Sequence, residues 1–275
     1  MTAPQRSTAP VFAARKSLGQ HFLRNATLAR RVAAVAGDLS GMNVIEIGPG
    51  PGALTAALLD APLASLTAIE IDPRVAPSLD ILRARHPERF RLLLADARKI
   101  ALSTLVAPPR HVIANLPYNV ATPLLVAWLG EAAHFTRLTL MFQAEVAERI
   151  TARPGKPGYG RLSVLAQWTS EAVIVLRLSP ASFLPRPKVS SAVVALIPHA
   201  EQPPPSRFIA MQRLTAAAFG QRRKMLRQAL KPLGGAALLA AAGIAADRRA
   251  ETLSIAEFDR LASLLPASVL PPEPA

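Results

Sequence analysis

One short segment of the sequence contains a carboxylate and three closely spaced glycines, which together could bind a nucleotide-like ligand. The apolar run Val44–Ile47 leads into Gly48, Gly50 and Gly52, and a helix-compatible stretch follows. Glycines at this spacing let the backbone turn sharply and approach a ligand closely, which a Cβ atom would obstruct. The same pattern also fits a dinucleotide loop or a tight turn without a ligand, so it is not specific by itself.

Three carboxylates at the ends of apolar segments narrow the choice of ligand. Glu70 lies 22 residues after Gly48, where it could accept hydrogen bonds from both hydroxyl groups of a ribose. Asp96 ends the next apolar segment and could accept a hydrogen bond from an adenine amine. Glu46 would repel a diphosphate, but it suits a cationic amino-acid group and a sulfonium. Each carboxylate singly could be an ordinary loop acid, whereas the set predicts S-adenosylmethionine as the cofactor.

The residues at 115–118 are of types that could bind an adenine base and prepare its amine for alkylation. An adenine amine is a poor nucleophile because its lone pair is shared with the ring, and acceptors for its two hydrogens direct that pair outward. Asn115 Oδ1 and the backbone carbonyl of Leu116 or Pro117 could be these acceptors. Tyr118 could stack on the base, and in-line placement of the reacting atoms would supply most of the acceleration. The alternative interpretation is a proline turn with a buried tyrosine.

Alternating strands and helices must position these side chains. The first five strand candidates are Asn43–Ile47, Leu66–Ile71, Phe90–Leu94, His111–Ala114 and Leu138–Phe142. Helix-compatible stretches such as Ala53–Leu59 and Thr122–Leu129 separate them, which favours parallel βαβ units. Ala172–Leu178 and Ser190–Ile197 are joined by a loop too short for a helix, so we expect an antiparallel pair. The prediction is an α/β, Rossmann-like, mostly parallel sheet of seven strands.

A proline-rich segment at 199–206 is predicted to link two domains. Residues 16–198 form the predicted cofactor-binding domain. After the linker, apolar residues recur with a helical period, which predicts a small all-α domain over 207–275. Residues 1–15 are predicted to be a flexible basic arm, with an organelle-targeting peptide as the alternative.

Basic residues are concentrated in two parts of the chain. Lys and Arg total 32 against 18 Asp and Glu, which gives a net charge of +14. Residues 1–37 contain six basic residues and residues 202–246 contain seven, and neither stretch contains an acid. Such segregation favours contact with a nucleic acid, although solubility alone is the alternative.

Four cations in the second basic stretch are predicted to contact RNA phosphates. We call Arg222, Arg223, Lys224 and Arg227 the cation cluster. On a helix, Arg223 and Arg227 would lie one above the other, with the other two cations to either side. The alternative is that they solvate a structural helix.

Composition excludes several kinds of chemistry. The chain has no cysteine, so disulfides, thiolate metal sites and a cysteine nucleophile are excluded. The histidines are scattered without metal-ligand spacing, and no metal is predicted. The apolar runs are too short to span a bilayer, and a cytoplasmic location is expected.

The motifs resemble those of a known family. A Glu-x-Gly-x-Gly-x-Gly loop at 46–52 followed by Asn-Leu-Pro-Tyr at 115–118 is similar to the ribosomal RNA adenine N6-dimethyltransferases, and most similar to the bacterial small-subunit family. The likeness covers nearly the whole chain apart from residues 1–15 and the last ten. Further matching segments are Lys16–Leu23, Met141–Arg149, Tyr159–Ser163, Phe183–Ser191 and Phe219–Leu226.

The resemblance implies a class I methyltransferase fold and several site residues. The residues that it implies for the cofactor pocket are His21, Leu23, Gly48, Glu70, Asp96 and Asn115. Phe183 is implied to lie near the target base. His21 stands where many relatives have asparagine, and a ring nitrogen can still form a hydrogen bond there.

The resemblance also implies a substrate. It is two adjacent adenines in a hairpin loop of 16S ribosomal RNA, dimethylated during assembly of the small ribosomal subunit. Separately, we expect a monomer, because no apolar stripe is left over after both domains are assigned. Two alternatives stay open at this point. One is a large-subunit adenine methyltransferase of the macrolide-resistance type, and the other is a catalytically silent RNA-binding assembly or transcription factor.

Overall fold

The computed structural model describes residues 20–118, 120–221 and 223–265. The strands within these ranges are β1 Phe22–Leu23, β2 Asn43–Ile47, β3 Ser65–Glu70, β4 Phe90–Leu94, β5 Arg110–Asn115, β6 Arg137–Gln143, β7 Ser170–Leu178, β8 Phe183–Leu184 and β9 Ser191–Pro198. The α-helices in the same ranges are α1 Ala26–Ala34, α2 Ala53–Leu59, α3 Ala76–Arg85, α4 Leu102–Leu105, α5 Ala121–Gly130, α6 Ala144–Thr151, α7 Arg161–Thr169, α8 Pro205–Gly220, α9 Leu226–Ala229, α10 Gly235–Ala241 and α11 Ile255–Ser263.

Seven of these strands form one sheet in the order β4-β3-β2-β5-β6-β9-β7. Strands β2 to β6 are parallel, and β9 runs antiparallel to both β6 and β7. The predicted mostly parallel, seven-stranded α/β sheet is therefore confirmed. The strand ends agree with the predicted ones to within two residues; β3, for example, ends at Glu70 rather than Ile71.

The chain order of the strands fixes where a ligand can bind. From β2 the chain continues through β3 to β4 on one side, whereas β5 and β6 lie on the other side. The direction of winding therefore reverses between β2 and β5. In sheets of this kind the ligand site lies at the carboxyl ends of the strands at that point.

Apolar side chains cover both faces of the sheet. In β2, Ile45 and Ile47 belong to one buried cluster, and Val44 belongs to the other. Alternation along a strand places successive side chains on opposite faces, and both faces are apolar because helices cover both. Within the described residues, no helix combines the length and apolarity that crossing a bilayer requires.

The helices after β9 pack directly on the sheet domain. Helix α8 begins at Pro205, and its Phe208 stacks on Trp168 of α7, with ring centroids 6.2 Å apart and 10° between the planes. Trp168 Nε1–H donates to Asp259 of α11 at 3.0 Å. Phe208 shares one apolar cluster with the sheet, and the division at 199–206 stays a prediction.

The expectation that Arg223 and Arg227 lie one above the other on a helix is wrong. Helix α8 ends at Gly220, and α9 begins only at Leu226, so Arg223 lies in the intervening turn. Glycine favours a helix end, and Arg223 and Arg227 would repel each other at positions i and i+4 of a continued helix. The turn also lets Leu226 reach the core, where it is fully buried. Arg222 lies outside the described residues.

Candidate active site

A cavity of about 300 Å³ lies at the carboxyl ends of β2, β3, β4 and β5. It is therefore at the point where the strand order reverses. The residues from the sequence prediction that line it are His21, Gly48, Glu70, Asp96, Asn115, Leu116, Pro117 and Tyr118. The fold thus brings these eight residues, which come from both the predicted cofactor set and the predicted catalytic set, into one space.

One wall of this cavity is the segment 20–24, which we call the strap. The strap contains β1, which pairs with β8 so that Phe22 lies opposite Leu184 and Leu23 opposite Phe183. Arg24 N–H donates to the carbonyl of Ser182 at 2.9 Å, which extends the pairing. The resemblance implied that His21 and Leu23 line the cofactor pocket; residues 16–19 of the matching segment Lys16–Leu23 lie outside the described part of the chain.

The glycine loop has the backbone that the sequence pattern predicts. Gly48, Gly50 and Gly52 have φ values of +69°, +53° and +91°, a region that side chains rarely adopt. A Cβ atom on Gly50 would lie 2.5 Å from the ring of Phe22, so the strap packs directly on the loop. At Gly48 the nearest atom would be the carbonyl oxygen of Asn115 at 3.9 Å, which leaves room beside the cavity.

Glu70 holds the glycine loop as well as lining the cavity. Its carboxylate accepts hydrogen bonds from the backbone N–H groups of Gly50 at 3.2 Å and Asp72 at 2.9 Å. Burial raises the pKa of Glu70, and these hydrogen bonds partly oppose that rise. Each oxygen has a second lone pair with which it could accept a ribose hydroxyl. The sequence predicted the ligand contact but not the contact with the loop.

Asp96 is paired with a cation that the sequence reasoning missed. Arg98 Nε donates to both carboxylate oxygens at 3.0 Å, and Arg98 Nη2 donates to Oδ2 at 2.7 Å. This arrangement lowers the pKa of Asp96, so the carboxylate stays ionised. Arg98 also lines the cavity. The sequence does contain a signal for this pair, because Arg98 lies two residues after Asp96, a carboxylate at a strand end.

Glu46 is a buried acid, and none of the ion pairs found among the described residues involves it. It is 1% exposed, and neither carboxylate oxygen has a hydrogen-bond partner within the described ranges. Burial raises the pKa of Glu46 to about 8; the nearby Thr55 hydroxyl opposes the rise, and Glu70 adds to it. Glu46 borders a second cavity of about 60 Å³, together with Leu23, Gly48 and Asn115. An unpaired acid in this position suits a ligand that brings a positive charge.

Asn115 and Tyr118 are both held in fixed orientations. Asn115 Nδ2–H donates to the carbonyl oxygen of His21 at 2.9 Å, which leaves Oδ1 as the acceptor of the amide. The Tyr118 hydroxyl lies 2.8 Å from Ser191 Oγ, and its ring stacks on His21 with centroids 5.5 Å apart. Burial raises the pKa of Tyr118, so the phenol stays protonated. The site therefore offers an amide acceptor beside an immobilised aromatic ring.

Phe183 occupies a different position from the other predicted catalytic residues. It is 2% exposed and belongs to the apolar cluster on the α1–α3 side of the sheet. Its neighbour Leu184 is 65% exposed. The implied place of Phe183 near the target base stays a prediction.

The structure adds a third basic segment to the two found by counting charges. Residues 149–170 contain four cations and no acid, and Arg153 and Lys156 are exposed in the loop before α7. This loop binds the C-terminal helices, because Gly155 N–H donates to the carbonyl of Glu251 at 2.8 Å. Tyr159 donates to the carbonyl of Leu253 at 2.9 Å.

The third segment contacts the end of helix α8, which leads into the turn with Arg223 and Lys224. The ring of Tyr159 contacts the ring of Phe219, near the end of α8, with centroids 6.0 Å apart. The turn that carries Arg223 and Lys224 follows directly after α8, and both side chains are exposed, as is Arg227. Exposed basic side chains therefore lie both in this loop and in the segment that follows α8.

Residues 11–266 match the family described as ribosomal RNA adenine dimethylase. A protein of Gluconobacter oxydans named ribosomal RNA small subunit methyltransferase A is 58% identical over 93% of this chain and 84% of its own length. A protein of the same name from Dinoroseobacter shibae is 50% identical over 92% of each chain.

Two solved structures share the architecture. A dimethyladenosine transferase from Plasmodium falciparum superimposes with a TM-score of 0.72 at 24% identity, over 88% of this chain and 96% of that one. The 23S rRNA methyltransferase ErmE gives a TM-score of 0.64 at 28% identity, over 89% of this chain and 99% of its own.

Proposed function

Because the chain belongs to the ribosomal RNA adenine dimethylase family, we propose that it dimethylates two adjacent adenines in a hairpin loop of 16S ribosomal RNA. Membership in this family shows the general activity: the protein is an enzyme that transfers methyl groups from S-adenosylmethionine to adenine in ribosomal RNA. The choice of the small subunit rests on the name that its relatives share. In this proposal the enzyme acts as a cytoplasmic monomer on the small subunit or its precursor.

The three carboxylates are proposed to bind the cofactor at three points. Glu70 accepts hydrogen bonds from the ribose hydroxyls, and Asp96 accepts one from the adenine amine. Glu46 pairs with the ammonium group of the amino-acid part. This group supplies a positively charged partner for the buried carboxylate of Glu46. When bound, S-adenosylmethionine supplies an electrophilic methyl group on a sulfonium. His21, Leu23 and the three loop glycines complete the proposed pocket.

The target adenine is proposed to bind between the amide of Asn115 and the ring of Tyr118. Asn115 Oδ1 and the carbonyl of Leu116 or Pro117 accept the two amine hydrogens, which directs the nitrogen lone pair toward the methyl group. Tyr118 holds the base by stacking. The amine becomes acidic only as its bond to the methyl group forms, so a strong base is not needed. Most of the acceleration then comes from positioning.

One observation carries this proposal. The backbone carbonyl of His21 binds Asn115 Nδ2, so the amide is oriented before any ligand arrives. Asn115 lines the same cavity as Glu70 and Asp96. A preoriented acceptor in a shared cavity is what transfer to an amine requires.

The RNA is proposed to bind across the cation cluster, through phosphates rather than bases. Basic side chains spread over a turn and a short helix suit a wide phosphate surface better than one base edge. Arg153 and Lys156 of the adjoining loop extend the proposed surface. The predicted domains, 16–198 for catalysis and 207–275 for ribosome binding, divide these tasks.

The experiment that tests the proposal is methyl transfer from labelled S-adenosylmethionine to ribosomal subunits isolated from a strain that lacks this methylation. We expect label in 16S RNA of small subunits and none in large subunits assayed in parallel. Label confined to 23S RNA would instead identify a large-subunit enzyme. No label in either RNA would refute the proposal.

A further inference from the structure

The side chain of His21 faces the predicted base-binding residues. Its Nδ1 lies 2.8 Å from the carbonyl oxygen of Pro185, and a carbonyl can only accept, so Nδ1 carries the hydrogen. The imidazole ring stacks on Tyr118, with 5.5 Å between the centroids and 30° between the planes. The ring of His21 therefore joins the strap, Tyr118 and the loop that follows β8.

Tyr118 is immobilised at two points by these contacts. His21 covers one side of its ring, and Ser191, which is fully buried, holds its hydroxyl at 2.8 Å. A base inserted between two rings needs about 3.5 Å on each side, or roughly 7 Å between them. His21 and Tyr118 are too close for that. A base that stacks on Tyr118 must therefore use ring surface that His21 leaves to the cavity.

The backbone of His21 has a separate task. Its carbonyl oxygen accepts the hydrogen bond from Asn115 Nδ2 at 2.9 Å. A substitution of the side chain leaves this carbonyl in place. The two effects of the residue, on the amide and on the aromatic ring, can therefore be separated by mutation.

We propose that the imidazole ring of His21 is a positioning residue for the target base, acting by stacking on Tyr118. The inference rests on the proposed function, in which Tyr118 is the platform for the base. His21 does not touch the reacting amine in this proposal. It removes rotational freedom from Tyr118, so that a base meets one ring orientation instead of several.

Three substitutions at position 21 separate the ring from its hydrogen bond. His21→Phe keeps an aromatic ring and loses the N–H donor, His21→Asn keeps a donor and loses the ring, and His21→Ala loses both. In single-turnover methyl transfer with saturating cofactor, we expect the alanine and asparagine variants to be about three- to tenfold slower. The phenylalanine variant should stay within about twofold of wild type. The reverse order, with asparagine active and phenylalanine slow, would overturn the proposal.

Cofactor affinity distinguishes this role from a direct contact with the cofactor. Because His21 also belongs to the proposed cofactor pocket, calorimetric titration measures any change in cofactor affinity separately. We expect the order of the rates at saturating cofactor to be independent of such a change. If His21→Ala binds the cofactor more than about tenfold more weakly but has the wild-type rate at saturation, the ring serves the cofactor instead. Thermal unfolding of each variant checks that the strap is still folded.

A double-mutant cycle with Tyr118→Ala tests whether His21 acts through the tyrosine. If it does, His21→Ala causes no further loss of rate once Tyr118 is alanine. If the two losses multiply, His21 acts independently, and the inference fails while the platform role of Tyr118 stands. If Tyr118→Ala itself stays within about twofold of wild type, the platform role in the proposed function fails, and the inference fails with it.

Discussion

The buried carboxyl group of Glu46 should make cofactor binding depend steeply on pH. Burial raises its pKa to about 8, so the carboxyl is mostly protonated at neutral pH in the free protein. Pairing with the ammonium group of the cofactor requires the carboxylate, so binding must release a proton. With a pKa of about 8, roughly half of the carboxyl is ionised at pH 8 and roughly 1% at pH 6. We therefore expect affinity to be about 50-fold weaker at pH 6 than at pH 8.

The assay is calorimetric titration with S-adenosylhomocysteine between pH 6 and pH 8. In buffers of different ionisation enthalpy, it should show the release of about 0.9 proton per site at pH 7. 5′-Methylthioadenosine lacks the amino-acid part and is the matched control: it reports on Glu70, whose pKa burial also raises, but not on pairing with Glu46. Glu46→Gln should bind S-adenosylhomocysteine weakly, without the steep pH dependence.

Two results would refute this reasoning. One is a wild-type affinity for S-adenosylhomocysteine that changes less than about threefold between pH 6 and pH 8. The other is an equal slope for Glu46→Gln, because the titrating group would then lie elsewhere.

The same carboxyl group predicts the sign of a change in stability. The folded-state pKa of Glu46 lies above the ordinary value of 4.5, so its stabilising contribution is full below that value and is lost as pH rises toward about 8. Glu46→Gln should therefore gain thermal stability relative to wild type as pH rises from 5 to 8. A constant difference in Tm over this range would contradict the assignment.

Three further perturbations test other parts of the site. Glu70→Ala should weaken cofactor binding at least tenfold, because a charged hydrogen bond contributes about 1.5–3 kcal/mol, while RNA affinity stays nearly unchanged; titration with a wild-type affinity would contradict this. Gly50→Ala should lower both Tm and cofactor affinity, since φ is +53° and the new Cβ atom would lie 2.5 Å from the ring of Phe22. A variant that matches wild type in both measurements would contradict the proposed role of the glycine loop. Neutralising the cation cluster should flatten the salt dependence of subunit binding by about 0.7–0.9 log units per lost phosphate contact, with cofactor affinity unchanged. An unchanged salt slope would indicate that these side chains are solvated and do not contact RNA phosphates.

The sequence predicted the parts of the site that depend on local pattern. The glycine loop, the strand ends at Glu70 and Asp96 and the turn at Asn115 each follow an apolar run, and a run of that length predicts a strand. Parallel strands end at the same edge of the sheet, so these side chains had to meet. That inference needed no knowledge of contacts between distant residues.

Contacts between distant residues account for part of what sequence reasoning missed. The pairing of Phe22 with Leu184 joins two-residue strands that are 162 positions apart, and strands so short have no periodicity to detect. The bond from Asn115 to the strap depends on that pairing. The position of Arg223 in a turn has a local cause. Helix α8 ends at Gly220, before the run of cations, so these cations do not share one helical face as the sequence analysis expects.

The most direct test of the central claim is to count N6,N6-dimethyladenosine in 16S RNA from a bacterial host that lacks its own enzyme for this modification. The host carries either the wild-type chain or Asn115→Ala, and the RNA is digested to nucleosides and measured by mass spectrometry. We expect two dimethyladenosines per 16S molecule with the wild-type chain and a large loss with the variant at equal protein level, because the proposal makes the oriented amide of Asn115 an acceptor for the target amine. Unmodified 16S RNA with the wild-type chain would contradict the proposed substrate, and equal modification by Asn115→Ala would contradict the proposed site.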